Sequence, residues 1–118
     1  MKRIGILGGT FDPPHYAHLL MAEQAYNQLE LDEIWFLLSY QPTHKAEAKT
    51  TAKDRVEMTK AAIEGNPAFH ISTVEVERKE KSYTLQTMKM IKEDFPNHQF
   101  YFIIGGGDML NIYRNGTI

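Results

Sequence analysis

The sequence predicts an α/β domain in which helices cover both faces of a parallel β-sheet. Four short apolar runs alternate along the 118 residues with three segments of helical periodicity, in the order β-α-β-α-β-α-β. Such alternation implies parallel strands joined by right-handed crossovers. Two of the apolar runs lead directly into glycines, which is where proteins of this class place ligand contacts.

The first unit runs from an apolar strand through a glycine turn into a helix. Residues 3–7 are long enough for a buried strand, and Pro13-Pro14 then favour a helix start. We expect helix one over residues 15–29. Its apolar positions recur at steps of three and four, which indicates a core-facing stripe of Leu19, Ala22, Tyr26 and Leu29.

The second unit contains a polar segment between a strand and a helix. Residues 34–38 form a continuous apolar run, typical of a strand buried on both faces. The polar residues 39–50 that follow include Lys45, which composition alone would make a solvated surface lysine. Helix two is predicted over residues 51–64, with Thr51 and Asp54 resembling a capping box.

The third unit is less regular. Residues 69–76 alternate in part and predict strand three, and the charged residues 75–81 read as a solvated connection. Ser82-Tyr83-Thr84 then leads into helix three over residues 85–93, because serine and threonine commonly cap helices.

The last predicted strand covers residues 99–104 and ends in three glycines followed by Asp108. In the Rossmann strand order this strand lies beside strand one, so Gly8 to His18 would face Gly105 to Asp108 across one crevice. Residues 109–118 are expected to begin a helix. Strand four is apolar on both faces, and ten residues can hardly cover it and also supply a neighbouring strand. The sequence therefore predicts that the chain lacks a C-terminal part, or that a second copy in a homo-oligomer covers that edge.

Composition narrows the function classes. The formal net charge is -2, which argues against general attraction to nucleic acid or membranes. The chain has no cysteine, which excludes disulfides and thiolate metal sites and fits a reducing compartment. No signal peptide or membrane span is visible, so we expect a cytoplasmic protein.

The glycine turn predicts an anion site. Gly8 and Gly9 allow a ligand to approach the backbone, and a helix N-terminus just beyond favours negative charge. His15 and His18 lie one turn apart, so both side chains can reach one ligand. With Asp12 they could instead bind a metal, although the spacing and the glycines favour phosphate. Neither the P-loop pattern nor Gly-x-Gly-x-x-Gly occurs in the sequence.

Residues 8–18, Gly-Gly-Thr-Phe-Asp-Pro-Pro-His-Tyr-Ala-His, resemble the signature of the bacterial nicotinate-nucleotide adenylyltransferase family. That family belongs to the nucleotidyltransferase superfamily marked by His-x-Gly-His. Three further stretches support the resemblance in chain order: Pro42-Thr43-His44-Lys45, Ser82-Tyr83-Thr84, and Phe102-Ile103-Ile104-Gly105 with Asp108.

The resemblance implies transfer of the adenylyl group of ATP to nicotinate mononucleotide, with Mg²⁺ accompanying ATP. It implies no nucleic-acid or membrane partner. His15, His18 and Lys45 would be the catalytic residues that hold phosphate and stabilise charge. The nucleotide crevice would be lined by Gly8, Gly9, Thr10 and Phe11, with Gly105 and Asp108 at the ATP ribose or metal. Tyr83 and Thr84 would receive the nicotinate end.

Three features depart from the family pattern. Ala17 replaces the glycine between the histidines, and three glycines precede Asp108, where the family has fewer residues. The tryptophan that the family carries after that aspartate, and its C-terminal Ser-Ser/Thr-x-x-Arg stretch, do not occur in these 118 residues. These departures predict reduced activity. The alternatives are another superfamily member, such as a phosphopantetheine adenylyltransferase or a cytidylyltransferase, and a non-catalytic nucleotide-binding fragment.

Overall fold

The computed structural model describes residues 1–9, 11, 14, 16–38, 51–78, 85–106 and 109–114. Strands and helices alternate along the first two thirds of the chain, as the sequence predicts, and a second consecutive helix and then two consecutive strands follow after that. In chain order the elements are β1 (Arg3–Gly9), α1 (Tyr16–Gln28), β2 (Glu33–Leu38), α2 (Ala52–Ile63), β3 (Phe69–Ser72), α3 (Val74–Arg78), α4 (Leu85–Asp94), β4 (Gln99–Gly106) and β5 (Met109–Arg114).

The five strands form one sheet in the order β3-β2-β1-β4-β5. The pairs β1–β2, β1–β4 and β2–β3 are parallel, and β4–β5 is antiparallel. β1 is therefore central and lies beside β4, although ninety residues separate them in sequence. This arrangement confirms the predicted Rossmann-like fold and its strand order.

The core has two layers, because successive strand residues point to opposite faces of the sheet. Leu7, Phe36 and Ile103 pack on the face covered by α1 and α2, together with Ala22 and Ile63 of those helices. Neighbouring strand residues point the other way and pack against Ile91 of α4; these are Ile4, Ile6, Leu37, Phe100 and Phe102. Helices thus cover both faces, as predicted.

Gly5 lies at a point of the central strand where the surrounding core leaves no space for a side chain. A Cβ at this position would lie 2.8 Å from the Cδ1 atoms of both Ile34 and Leu31, and 3.0 Å from Cδ1 of Ile103. Real Cβ atoms essentially never approach other atoms so closely. The central strand therefore brings three core side chains directly over its backbone.

The cap of α2 agrees with the sequence prediction. The Thr51 side-chain oxygen accepts a hydrogen bond of 3.2 Å from the Asp54 backbone N–H. This bond satisfies one of the amides that a helix N-terminus leaves without an intrahelical partner. On its core-facing side α2 buries Arg55 and Thr59, two polar residues whose burial the sequence pattern does not indicate.

Strand three is shorter than predicted. The prediction over residues 69–76 is wrong beyond Ser72, where pairing with β2 ends at Leu37. α3 begins two residues later and takes up part of the expected solvated connection. Its first turn is fixed locally, because Glu77 N–H donates to the Thr73 carbonyl at 2.8 Å and Thr73 Oγ1 donates to the Glu77 carboxylate at 2.8 Å.

The helix expected from residue 109 onward is also wrong. β5 pairs with β4 from Gly106↔Met109 to Tyr101↔Arg114. The residues after Asp108 thus do supply a neighbouring strand, which the sequence analysis expected they could hardly do while also covering β4. β4 has β1 on one side and β5 on the other, so its edge is paired within the chain. The reason for invoking a second copy at that edge therefore no longer applies.

No helix in the described part of the chain is long and apolar enough to cross a membrane.

Candidate functional site

Two glycine runs reach the same edge of the sheet. β1 ends in Gly8 and Gly9, β4 ends in Gly105 and Gly106, and the two strands are parallel neighbours paired up to Leu7↔Ile103. The carboxyl ends of both strands therefore lie side by side, as the strand order predicts. These four glycines are referred to below as the glycine edge.

β2 joins the glycine edge from the other side. Its last two residues, Leu37 and Leu38, pair with Gly8 and Gly9. Residues 39–50, which include Lys45, follow directly after Leu38 in the sequence. Lys45 itself lies outside the described residues.

Phe11 occupies the connection between the glycine edge and α1 in an unusual conformation. Its φ is 52°, in the left-handed region that non-glycine residues rarely adopt, and its side chain is only 2% exposed. A left-handed residue other than glycine costs on the order of 1–2 kcal/mol. Burial of an aromatic side chain, at about 1.5–3 kcal/mol, is enough to offset that cost.

His18 lies in the first turn of α1 and packs on Phe11. The ring centroids are 4.8 Å apart, and the planes meet at 73°, which is a T-shaped contact. His18 is half-buried. One of the two predicted catalytic histidines is thus held against the connection that leaves the glycine edge.

The Phe11 ring is fixed in turn by the core. It packs against Phe36 at 5.7 Å between centroids, and Phe36 packs against Phe69 at 5.3 Å. We call Phe11, Phe36 and Phe69 the aromatic row. Gly9 leaves room for its first member, because a Cβ on Gly9 would lie 3.2 Å from Phe11 Cζ.

This arrangement is suited to an anion. Backbone close to glycines can approach a ligand, and a helix N-terminus favours negative charge. The first turn of α1 carries no acidic residue that would compete for that position. Among the described residues, no group of three or more His, Asp or Glu side chains is arranged to hold a metal ion.

Several residues singled out in the sequence lie outside the described residues: Thr10, Asp12, His15, Lys45, Tyr83, Thr84 and Asp108. Their assigned roles stay predictions. Gly8, Gly9, Phe11, His18 and Gly105 are brought to one end of the sheet, as the strand order requires.

A cavity of about 400 Å³ lies elsewhere, over β2 and β3 and beside Trp35 and Phe95. Glu33 lines it and already accepts hydrogen bonds from Lys2 and from Trp35 Nε1, with His70 Nε2 3.7 Å away. Burial raises the pKa of Glu33, but the hydrogen bonds from Lys2 and Trp35 and the charges nearby together hold the pKa below its ordinary value. Its contacts are those of a structural ion-pair network, and none of the glycine-edge residues lines the cavity.

Sequence reasoning assigned Phe11 only a backbone contribution. The burial of its ring and its contact with His18 were missed. No sequence signal marks them, because a left-handed phenylalanine has no characteristic neighbours and the ring contacts join residues far apart in sequence.

The chain is similar in sequence to nicotinate-nucleotide adenylyltransferases. The chain is 52% identical over 111 residues to nicotinate-nucleotide adenylyltransferase of Bacillus subtilis, covering 93% of this chain and 58% of the relative. It is 53% identical over 111 residues to a probable nicotinate-nucleotide adenylyltransferase of Lactiplantibacillus plantarum, covering 93% of this chain and 52% of that one. The chain thus spans about half the length of the curated relatives it matches.

A solved structure shares the fold. The nicotinic acid mononucleotide adenylyltransferase of Plasmodium falciparum, complexed with NaAD, superposes with a TM-score of 0.71 at 28% identity. The match covers 86% of this chain and 51% of that one. The resemblance noted in the sequence is therefore confirmed by both relatives and structure. A model of the cytidylyltransferase-like family matches residues 6–115, a span that includes the glycine edge, Phe11 and His18, and the chain belongs to that family.

Proposed function

We propose that this chain transfers the adenylyl group of ATP to nicotinate mononucleotide, giving deamido-NAD and pyrophosphate. The observation that supports the proposal is the contact of His18, in the first turn of α1, with Phe11, whose ring lies against Gly9 at the end of β1. The names of relatives about 50% identical to this chain support the same reaction.

In the proposed reaction a phosphate oxygen of nicotinate mononucleotide attacks the α-phosphorus of ATP. A new P–O bond forms there as the bond to the bridging oxygen of the β-phosphate breaks, and pyrophosphate leaves with that electron pair. Nothing in this scheme needs a covalent intermediate. The work of the protein is to position the two anions and to stabilise the charge that develops between them.

We propose that His18 stabilises that developing charge. A histidine at a helix N-terminus can donate a hydrogen bond to a phosphate oxygen alongside the backbone N–H groups. His15 and Lys45 are proposed to share this task, and Mg²⁺ is proposed to enter bound to ATP as part of the substrate.

The remaining residues are proposed to bind the substrates. Gly8 and Gly9, with Thr10 and Phe11, would line the nucleotide crevice through their backbone. Gly105 and Asp108 would meet the ATP ribose or its metal, and Tyr83 and Thr84 would receive the nicotinate ring. The cytoplasm, where ATP is abundant, is the proposed location.

The test is pyrophosphate release by the purified chain with Mg-ATP and nicotinate mononucleotide. Nicotinamide mononucleotide and phosphopantetheine are offered as alternative acceptors, and CTP replaces ATP in a parallel set because the family model is cytidylyltransferase-like. Release that requires both ATP and the acid mononucleotide is the expected result.

Two results would contradict the proposal. Faster release with another acceptor or with CTP would make the chain a different member of the family. Binding of ATP in calorimetry without release from any acceptor would make it a nucleotide-binding domain that does not turn over by itself.

A further inference from the structure

We infer that Phe11 is a positioning residue for the His18 imidazole, an inference that rests on the proposed function for its catalytic consequence. The side chain of Phe11 is part of the hydrophobic core. It also contacts a histidine of the proposed site, and we assign it the orientation of that histidine.

Phe11 is itself firmly held by its surroundings. It is 2% exposed, and its ring lies between Gly9 on one side and Phe36 on another. Phe36 is 1% exposed and belongs to the central part of the sheet through β2. A ring packed in this way has little freedom, because protein interiors are close-packed and tolerate few voids.

The Phe11 ring also faces the imidazole of His18. The T-shaped geometry of 4.8 Å and 73° is one that aromatic pairs favour. The contact restricts rotation of the His18 ring about its side-chain bonds, and so it fixes the directions in which the two ring nitrogens point. Hydrogen bonds to a transition state depend steeply on such direction.

The backbone of Phe11 is strained at the same position. Phe11 combines a φ of 52° with a ring packed in the core cluster, and it precedes the helix that carries His18. Strain of this kind persists where the surrounding structure fixes it, and it is concentrated at functional sites. The aromatic row and Gly9 supply that fixation here.

The aromatic row also supplies a matched control. Phe11→Leu removes the ring next to His18. Phe69→Leu removes a ring of the same size from the far end of the row, where it packs on Phe36 and is 8% exposed. Both changes make a similar cavity in the same core cluster, so general loosening of the core is common to the two variants.

The readout is the pair of three-bond Hα–Hβ couplings of His18 in NMR, which report whether its side chain keeps a single χ1 rotamer, together with kcat and KM for pyrophosphate release. The His18 signals are assigned by their loss in His18→Gln. The couplings should show one staggered rotamer in wild type and an average over more than one in Phe11→Leu, because the contact that restricts the ring is gone. Phe11→Leu should also lower kcat about tenfold with a smaller change in KM for ATP, because orientation acts mainly in the transition state. Phe69→Leu should leave the His18 couplings unchanged and keep kcat within about threefold.

The inference is overturned if the Hα–Hβ couplings of His18 are the same in wild type and Phe11→Leu, whether or not the chain turns over substrate. It is also overturned if kcat falls equally in Phe11→Leu and Phe69→Leu. A wild-type chain that releases no pyrophosphate contradicts the proposed function alone, and the NMR comparison then decides the positioning by itself. If Phe11→Leu does not fold, Phe11→Met, whose flexible side chain fills irregular space, replaces it in the same measurements.

Discussion

Gly5→Ala is expected to destabilise the fold even though it adds only one methyl group. The new Cβ would lie 2.8 Å from the Cδ1 atoms of Ile34 and Leu31 and 3.0 Å from that of Ile103. Carbon atoms pack best at about 3.5–4.0 Å, so three side chains must retreat at once from the central strand. Overpacking of this kind costs about 1–3 kcal/mol.

A difference in conformational entropy offsets part of that cost. Alanine in a strand is favoured over glycine by about 0.5–1 kcal/mol, because an alanine loses less conformational freedom on folding than a glycine does. Subtracting the middle of this range from the middle of the overpacking range leaves a net loss of about 1 kcal/mol for Gly5→Ala. In a domain of this size such a loss lowers Tm by roughly 3–6 °C.

The chain offers a matched control in Gly65→Ala. Gly65 follows α2, no atom lies within 4 Å of the position its Cβ would take, and its backbone lies outside the left-handed region. The same substitution should here raise stability by about 0.4–1 kcal/mol. Urea unfolding followed by the fluorescence of Trp35, the single tryptophan, measures both variants. The reasoning is refuted if Gly5→Ala is as stable as wild type, or if Gly65→Ala loses as much stability as Gly5→Ala.

Three further outcomes are expected. His18→Ala should lower kcat for pyrophosphate release by about 10²-fold or more with little change in Tm, if His18 stabilises transition-state charge; steady-state kinetics within a few-fold of wild type would remove it from the mechanism. Lys45→Ala should weaken the use of ATP more than it lowers Tm, because a lysine in a polar segment contributes little folding energy, and a large fall in Tm would assign it a structural task instead. The pKa of Glu33 lies below its ordinary value of 4.5, so its carboxylate contributes stability above that pH and loses it as the pH falls through the lowered pKa. Glu33→Gln should therefore be less stable than wild type at pH 7, with a Tm difference that shrinks toward pH 3, and a difference independent of pH would contradict the assignment.

The sequence alone predicted the order of the elements apart from α3 and β5, and the edge of the sheet at which two glycine runs meet. Apolar runs and helical periodicity are local signals, and they placed β1, α1, β2, α2, α4 and β4 within two residues of their observed ends. Alternation of strands and helices then predicted the parallel sheet, because a crossover between parallel strands has one favoured hand. That rule predicts that Gly8 and Gly105 lie at the same edge of the sheet, where the structure has them.

Tertiary structure determined the secondary structure of two segments that the local sequence pattern left ambiguous. Residues 74–76 alternate like a strand but form a helix, because no pairing with β2 extends past Ser72 and local hydrogen bonds to Thr73 are available. Met109–Arg114 becomes a strand because β4 offers it an edge with unpaired backbone groups. The helix at residues 74–76 thus depends on where the pairing of β3 with β2 ends. The strand at Met109–Arg114 depends on the free edge of β4.

The same reason applies at the candidate site. The sequence marked His18 by its motif, but it gave no sign that Phe11 adopts a left-handed backbone or that its ring contacts the imidazole. Contacts of this kind arise when a close-packed core brings together β1, α1 and β2, and side-chain packing is not encoded in any local period. The sequence thus predicted His18 as a site residue from its motif, whereas the packing of the aromatic row determines how its ring is held.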